Sequence, residues 1–279
     1  MPDIAFINGR FLPWQEATVS IDDRGFQFGD AVYEVIRTYR GVPFELSAHL
    51  TRLERSLHAL GIPQPYARNQ WKQWIQHGLS LAGYQDAKIY IQITRGVAPR
   101  DHRFPSNVTP TVIMTIREFH SLAPDIRQKG VTACTTDDLR WGRCDIKSVN
   151  LLANVLAREE AHKAGVFEAI LIKNGFVTEG SVSNVMVVQN GTVITAPEGP
   201  QILSGVTRTV VLELAKKEDL AVEERLIPRD ALYEADEVFL TGTTLEVLGV
   251  VQIDGQAIGS GEPGSVTKAL AARWSILTG

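Results

Sequence analysis

Residues 140–150 read Arg-Trp-Gly-Arg-Cys-Asp-Ile-Lys-Ser-Val-Asn, and the rest of the chain is interpreted around the lysine in this stretch. Lys147 lies between an apolar residue and a serine, just ahead of a segment with strong helical patterning. Burying an ammonium group is costly unless its pKa falls. A lysine held in that way can act as a Schiff-base nucleophile, although a solvated lysine is the more common case.

A second stretch, residues 178–184, reads Thr-Glu-Gly-Ser-Val-Ser-Asn and places a carboxylate in a loop of small residues. The carboxylate, Glu179, directly follows a predicted hairpin strand. A carboxylate beside a pyridinium nitrogen keeps that nitrogen protonated and makes pyridoxal phosphate an electron sink. Taken alone, this stretch is more often an ordinary turn, so the hypothesis needs support from the remaining sequence.

The composition indicates a globular protein and excludes several classes of function. The chain has 279 residues, of which 44% are hydrophobic and 22% charged, and its formal net charge is −4. This charge gives no reason to expect a nucleic acid or an anionic membrane surface as partner. Cys134 and Cys144 make no disulfide framework, and no cysteine–histidine spacing indicates a metal site. No signal peptide or membrane-spanning run is visible, so we expect a cytoplasmic protein.

Hairpin signals dominate the predicted secondary structure. Asn-Gly or Asp-Gly pairs lie between apolar segments at residues 8–9, 174–175, 190–191 and 254–255. These residue types accept the positive φ angles of tight hairpin turns. Helices with apolar spacing lie between the hairpins, the first of them capped by Ser47. This order favours an α+β fold rather than a doubly wound parallel sheet.

The expected domain boundary lies at residues 118–128, where periodicity is lost and a proline occurs. We therefore expect a smaller N-terminal α+β domain at residues 1–118 and an interdomain linker at residues 119–128. A larger, β-rich α+β domain follows at residues 129–279, and we expect it to carry Lys147. It begins with a strand and then a helix, one face of which is marked by four apolar residues, Leu151, Leu152, Val155 and Leu156.

Two loops have features of a phosphate site. Residues 204–208, Ser-Gly-Val-Thr-Arg, open a helix, whose free amides and dipole suit an anion. Residues 241–244, Thr-Gly-Thr-Thr, follow a strand and offer hydroxyl and amide donors. Arg52, one helical turn from His49, is a third candidate. Ordinary capping, or a surface arginine, is the more common alternative, and neither loop has nucleotide-binding spacing.

A basic loop is the candidate for binding a carboxylate. Residues 95–105 read Arg-Gly-Val-Ala-Pro-Arg-Asp-His-Arg-Phe-Pro. Arg100 and His102, two residues apart, can converge on one carboxylate. A solvated charged loop anchored by Phe104 is an equally good interpretation of these residues alone. Tyr33 follows a glycine- and phenylalanine-rich loop, and its hydroxyl could reach a ligand or simply pack in the core.

Together these motifs resemble the fold-type IV pyridoxal-phosphate aminotransferases, and most closely their bacterial D-amino acid branch. The resemblance covers nearly the whole chain and rests on four stretches in the family's order. They are DRGFQFGDAVYEVI (23–36), TRGVAPRDHRFP (94–105), RWGRCDIKSVNLLANVLAREEAH (140–162) and TEGSVSNV (178–185). The lysine and Thr-Glu-Gly motifs are specific to fold type IV. The Pro-Arg-x-His-x-Phe-Pro loop indicates the D-amino acid branch.

The resemblance implies a role for each candidate residue. Lys147 forms the internal aldimine, and Glu179 pairs with the pyridinium nitrogen. The phosphate is held by Arg52, the amides of Val206 and Thr207, and Thr243, and Ser183 also binds the cofactor. Tyr33, Arg100 and His102 bind the substrate carboxylate. In the family, the arginine and histidine come from the neighbouring subunit, which implies a homodimer. The residue before Ser183 is serine in the family and Val182 here.

The implied reaction is a ping-pong transamination between a D-amino acid, such as D-alanine, and a 2-oxo acid, such as 2-oxoglutarate. Two alternatives share the fold: a branched-chain L-amino acid aminotransferase and an aminodeoxychorismate lyase. A third is a non-catalytic anion-binding protein in which Lys147 and Glu179 are structural. A dehydrogenase is excluded because no G-x-G-x-x-G motif follows a strand.

Overall fold

The chain forms two sheets, one in each of two structural units, and the expected α+β class is confirmed. The structure, a computed structural model, describes residues 3–279. The first unit runs to His120 and also includes Ile146–Asn150. The second unit comprises Ser121–Asp145 and Leu151–Gly279.

The first unit is a six-stranded sheet with three helices. The strands are β1 (Ile4–Ile7), β2 (Arg10–Leu12), β3 (Ala31–Tyr39), β4 (Val42–Pro43), β5 (Ala87–Thr94) and β6 (Thr111–Glu118). They pair in the order β2-β1-β6-β5-β3-β4, and every pair is antiparallel. The helices are α1 (Arg24–Phe28), α2 (Leu46–Leu60) and α3 (Arg68–Ala82). The core forms where apolar faces of α2 and α3 pack on the sheet, and it includes Leu53, Trp71 and Ile91.

The second unit has a larger mixed sheet and four helices. Its strands are β7 (Val131–Asp137), β8 (Glu168–Lys173), β9 (Phe176–Gly180), β10 (Asn184–Gln189), β11 (Thr192–Thr195), β12 (Val222–Glu224), β13 (Ile227–Pro228), β14 (Glu237–Gly242), β15 (Glu246–Ile253) and β16 (Gln256–Ala257). Their order is β12-β11-β10-β14-β15-β7-β8-β9-β13, with β16 paired to β15. The helices are α4 (Pro124–Lys129), α5 (Leu152–Lys163), α6 (Val206–Lys217) and α7 (Ser265–Thr278).

All four predicted hairpin turns are confirmed. Each Asn-Gly or Asp-Gly pair has two consecutive positive φ angles, such as 52° at Asn174 and 81° at Gly175. A type I′ turn requires this conformation at both central residues, and it matches the twist of the flanking strands. The residue pair therefore determines where each hairpin reverses.

Two expectations about local structure need correction, and a third gains detail. The boundary between the two units, after His120, lies within the expected linker at residues 119–128, and Pro124 opens α4 inside that segment at a position where a proline costs no hydrogen bond. Helix α2 begins at Leu46, and its N-cap is Glu45 rather than Ser47. The large apolar side chains of α5 are exposed, Leu152 at 72% and Leu156 at 54%. The face of α5 that is buried carries alanines instead, Ala157 and Ala161.

The lysine stretch also differs from the expected domain assignment. Ile146–Asn150 groups with the first unit, although the flanking residues group with the second. The reason is hydrogen bonding to β3: the amide of Tyr33 donates to the Lys147 carbonyl at 2.9 Å, and that of Val149 donates to the Ala31 carbonyl at 3.1 Å. Lys147 was expected in the C-terminal domain because it follows the predicted boundary in the sequence.

Candidate active site

Lys147 is held at its backbone and lies beside an aromatic ring. Its carbonyl accepts the Tyr33 amide, and its own amide donates to Ser56 Oγ at 3.2 Å. The Nζ atom lies 4.3 Å from the centroid of the Tyr33 ring. Cations are attracted to aromatic ring faces at this distance. The structure therefore brings together two of the predicted site residues, Lys147 and Tyr33.

Arg52 is buried on α2, and a carboxylate that the sequence analysis missed fixes its guanidinium. Glu34 on β3 is fully buried and accepts from Arg52 Nε at 2.7 Å and from Nη2 at 2.8 Å. His49 Nδ1 lies 2.8 Å from the same carboxylate. Two-residue alternation along β3 puts Glu34 on a face with Val32 and Ile36. A carboxylate between two apolar residues of the same strand face was the signal in the sequence.

This buried group of Glu34, His49 and Arg52 has shifted pKa values. Burial raises the pKa of Glu34, but the charge and hydrogen bonds of Arg52 outweigh it and lower the pKa to about 2. Burial lowers the pKa of His49 below its ordinary value, despite the opposing effect of Glu34. Glu34 is therefore a carboxylate at neutral pH, and it holds Arg52 in a bidentate pair.

Arg100 and His102 lie on an exposed loop and share one contact, the ring of Phe28. The Arg100 guanidinium carbon is 5.0 Å from the ring centroid, and the His102 ring centroid is 5.3 Å from it. Asp101, between them, pairs with Arg103. The structure thus places two of the predicted carboxylate-binding residues side by side.

Glu179 is the last but one residue of β9 in the second unit, and its carboxylate is surrounded by donors. Its Oε2 accepts from Asn184 Nδ2 and from the Leu203 amide, both at 3.0 Å. Its Oε1 accepts from Arg140, whose guanidinium also pairs with Asp138. Burial disfavours the charged form of Arg140, but Asp138 and Glu179 outweigh it and raise the pKa of Arg140. A carboxylate held in this way suits a protonated ring nitrogen.

Ser183 has a partner that the sequence analysis did not identify. Its hydroxyl donates to Glu168 Oε2 at 2.9 Å, and the Ser181 hydroxyl donates to Oε1 of the same carboxylate. Glu168 is fully buried on β8. These bonds fix the loop that follows Glu179. Val182, between these two serines, is 62% exposed.

The predicted phosphate loops have the features of an anion site. Gly205 is the N-cap of α6, and an added Cβ there would lie 2.0 Å from Asn184 Oδ1. Val206 and Thr207 open the helix, where backbone amides lack intrahelical acceptors. The Thr241 hydroxyl is buried and has no hydrogen-bond partner among residues 3–279. Thr243, two residues on, is half-buried. These donors fit the phosphate of pyridoxal phosphate.

The match to a known family decides what this arrangement is. The family described as Amino-transferase class IV matches residues 31–253. The chain belongs to this family. It is therefore a pyridoxal-phosphate-dependent aminotransferase, as the resemblance predicted.

Individual relatives agree with this assignment. The chain is 46% identical to the D-alanine aminotransferase of Bacillus licheniformis, over 94% of this chain and 92% of that protein. Among solved structures it is similar to the branched-chain amino acid aminotransferase of Escherichia coli, with a TM-score of 0.93, 27% identity, and coverage of 99% of this chain and 94% of that one. The T.th. branched-chain amino acid aminotransferase with pyridoxamine 5'-phosphate gives a TM-score of 0.92, 30% identity, and coverage of 99% and 93%.

Within the part of the chain that the structure covers, no helix is long and apolar enough to span a membrane. The same residues, 3–279, contain no cluster of side chains suited to a metal ion.

Proposed function

We propose that this aminotransferase transfers the amino group of a D-amino acid, such as D-alanine, to a 2-oxo acid, such as 2-oxoglutarate. The observation that carries the proposal is the pairing of Arg100 and His102 against Phe28, because two adjacent donors suit one carboxylate. The 46% identity to a D-alanine aminotransferase supports the same substrate class. The branched-chain L-amino acid enzymes, at 27–30% identity among the solved structures above, are the main alternative.

We further propose which residues bind the cofactor and move protons. Pyridoxal phosphate, when bound, withdraws electrons from the substrate Cα. Lys147 would hold the cofactor covalently, and its Nζ, once freed, would accept and move the proton of the substrate Cα. Glu179 keeps the ring nitrogen protonated. The phosphate is bound by Arg52, the amides of Val206 and Thr207, and Thr243, with Ser183 also contributing to the cofactor site.

The stereochemical preference follows from where the substrate carboxylate is held. We propose that Arg100, His102 and Tyr33 bind it, with Arg100 and His102 on the far side of the reacting carbon from a hydrophobic pocket for the substrate side chain. This arrangement favours the D hand. By the resemblance, Val182 replaces a serine that would offer a hydrogen bond at the cofactor site, and we propose that this replacement alters turnover or substrate range.

We propose that the protein is a homodimer, in which each subunit supplies Arg100 and His102 to the other. Helix α5 supports this assembly, because three of its large apolar side chains are exposed: Leu152, Val155 and Leu156. Contiguous apolar surface of this kind is typical of protein interfaces. The cytoplasmic location stays a prediction from the sequence.

Steady-state assays with D-alanine and L-leucine as donors test the substrate class. With 2-oxoglutarate as acceptor, we expect pyruvate from D-alanine and little product from L-leucine. A preference for L-leucine would favour the branched-chain alternative. Release of pyruvate from aminodeoxychorismate without any amino acceptor would favour the lyase.

A further inference from the structure

We propose that Phe28 is a positioning residue for the substrate carboxylate, because it sets the geometry of Arg100 and His102. The inference rests on the proposed function, in which those two side chains bind the carboxylate. It assigns a role to the Asp-Arg-Gly-Phe-Gln-Phe-Gly motif at residues 23–29, which precedes Tyr33.

Arg100 and His102 share a contact with the ring of Phe28. Arg100 lies 5.0 Å from the ring centroid and His102 lies 5.3 Å from it. Both side chains are otherwise exposed, and an exposed arginine has many accessible rotamers. Contact with one half-buried ring narrows these rotamers and keeps the two donors together. Binding a carboxylate then requires less ordering.

The backbone between these two side chains is anchored as well. Asp101 separates Arg100 from His102, and its carbonyl oxygen accepts a hydrogen bond from Arg24 Nη1 at 2.5 Å. The same Arg24 guanidinium lies 4.7 Å from the Phe28 ring. One arginine therefore fixes both the ring and the loop that packs on it.

Arg24 is itself held by buried hydrogen bonds. Its Nε donates to Asp30 Oδ2 at 2.8 Å, and Arg95 Nε donates to the same oxygen at 2.8 Å. Arg95 also donates to the carbonyls of Leu60 and Gly61. Both arginine side chains are about 4% exposed. Buried, charge-assisted hydrogen bonds of this kind hold their members in one geometry.

The short helix α1 fixes the direction of Phe28. Asp23 caps it by accepting the Gly25 amide at 2.8 Å, and Gly29 ends it with a φ of 67°. A Cβ at Gly29 would lie 2.5 Å from Asn150 Oδ1, so this position requires glycine. The other phenylalanine of the helix, Phe26, is 75% exposed. Phe26 is therefore a suitable control for Phe28, whose ring packs against Arg100 and His102.

The test is Phe28→Leu, with Phe26→Leu as the control on the same helix. We expect Phe28→Leu to raise the KM for D-alanine and for 2-oxoglutarate by roughly three- to tenfold, which is the size of a lost cation–aromatic contact. The kcat and the absorbance of the bound cofactor should stay close to those of the wild type. Phe28→Tyr, which keeps the ring, should retain a nearly normal KM. Phe26→Leu should leave both kinetic constants unchanged.

A double-mutant cycle with Arg100→Leu separates this inference from the proposed function. If Phe28 acts through Arg100, Phe28→Leu should raise the KM by a smaller factor in the Arg100→Leu protein than in the wild type. A raised KM in Arg100→Leu with an unchanged KM in Phe28→Leu would overturn this inference only. An unchanged KM in Arg100→Leu would overturn the carboxylate site itself.

A second variant keeps the test decisive if Phe28→Leu does not fold. Arg24→Lys removes the planar guanidinium that bonds Asp101 and Asp30. It should also raise the KM more than it changes kcat. If Arg24→Lys instead lowered kcat and cofactor affinity as much as it raised the KM, the role of Arg24 would be merely structural, and the inference would be contradicted.

Discussion

At the residue scale, the main feature is a fully buried carboxylate, Glu34, paired with the proposed phosphate ligand Arg52. Its pKa of about 2 shows that the pair and the neighbouring hydrogen bonds outweigh the cost of burial. Removing one partner from such a pair leaves the other charge uncompensated. Glu34 is therefore important both for stability and for the orientation of Arg52.

We expect Glu34→Gln to destabilise the protein and to weaken cofactor binding. Loss of one partner of a buried ion pair typically costs about 3–5 kcal/mol. The measurements are denaturant unfolding of the cofactor-free protein and the dissociation constant of pyridoxal phosphate. Glu54→Gln is the control, because Glu54 lies on α2, the helix that carries Arg52, and pairs with Arg68 at the start of α3, but both side chains are partly exposed. That pair should contribute at most about 1 kcal/mol. Equal effects of the two substitutions would contradict this account of Glu34.

The lowered pKa of His49 predicts a loss of stability in mild acid. Because burial lowers the folded-state pKa, the unfolded chain binds a proton at His49 near its ordinary pKa of 6.5, whereas the folded protein does so only at lower pH. The free energy of unfolding should therefore fall as the pH drops below about 6.5. Glu34 adds a further loss of unfolding free energy as the pH falls from its ordinary pKa of 4.5 to its folded-state pKa of about 2.

Denaturant titrations at pH 7.5 and pH 5.5 test the contribution of His49. His49→Gln should reduce the difference in unfolding free energy between the two pH values. His58→Gln, at an exposed histidine of the same helix, should reduce it less. An unchanged pH dependence in His49→Gln would mean that His49 is not the residue responsible.

At the scale of elements, the hairpins were predictable and the lysine stretch was not. Asn-Gly and Asp-Gly pairs determine their own turn conformation, so a local pattern was sufficient. The pairing of Ile146–Asn150 with β3 joins residues more than a hundred positions apart. Helix α5 shows the same limit: its apolar face was visible in the sequence, but the sequence did not reveal that this face is exposed.

The start of helix α6 gives a prediction about cofactor binding. A Cβ at Gly205 would lie 2.0 Å from Asn184 Oδ1, and Asn184 bonds both Glu179 and the Leu203 carbonyl. Gly205→Ala should displace Asn184 and thereby disturb Glu179. We expect the affinity for pyridoxal phosphate to fall by about tenfold or more, which corresponds to the loss of one buried hydrogen bond.

Gly199→Ala is the matched control for Gly205→Ala. Gly199 lies a few residues earlier, and nothing lies within 4 Å of the added Cβ. Cofactor affinity, measured by fluorescence titration of the cofactor-free protein, should be normal in Gly199→Ala. If Gly205→Ala also bound the cofactor normally, the link from Gly205 through Asn184 to Glu179 would be wrong.

At the scale of the whole molecule, the resemblance assigned roles that no local pattern could assign. Lys147 with Tyr33, and Arg100 with His102, lie together in the structure, and their types and spacing had already marked them as candidates. Glu34, Glu168 and Arg140 were missed, because a single buried charged residue has no distinctive spacing. Their importance comes from hydrogen-bond partners that are distant in sequence.

The proposed homodimer predicts a native mass of twice the 30.7 kDa chain. We expect Leu156→Glu, at the exposed apolar face of α5, to shift the protein towards monomers and to lower its activity on D-alanine. Ile276→Glu is the control, because Ile276 is 72% exposed on a different helix, α7. Analytical ultracentrifugation measures both variants. A stable, fully active dimer in Leu156→Glu would exclude this face from the interface.

A half-reaction without any 2-oxo acid tests the proposed D-specific transamination most directly. The purified enzyme, with its cofactor in the pyridoxal form, is mixed with D-alanine and separately with L-leucine while the absorbance spectrum is followed. We predict conversion to the pyridoxamine form with D-alanine and little change with L-leucine. Conversion with L-leucine alone would contradict the account and would assign the protein to the branched-chain enzymes.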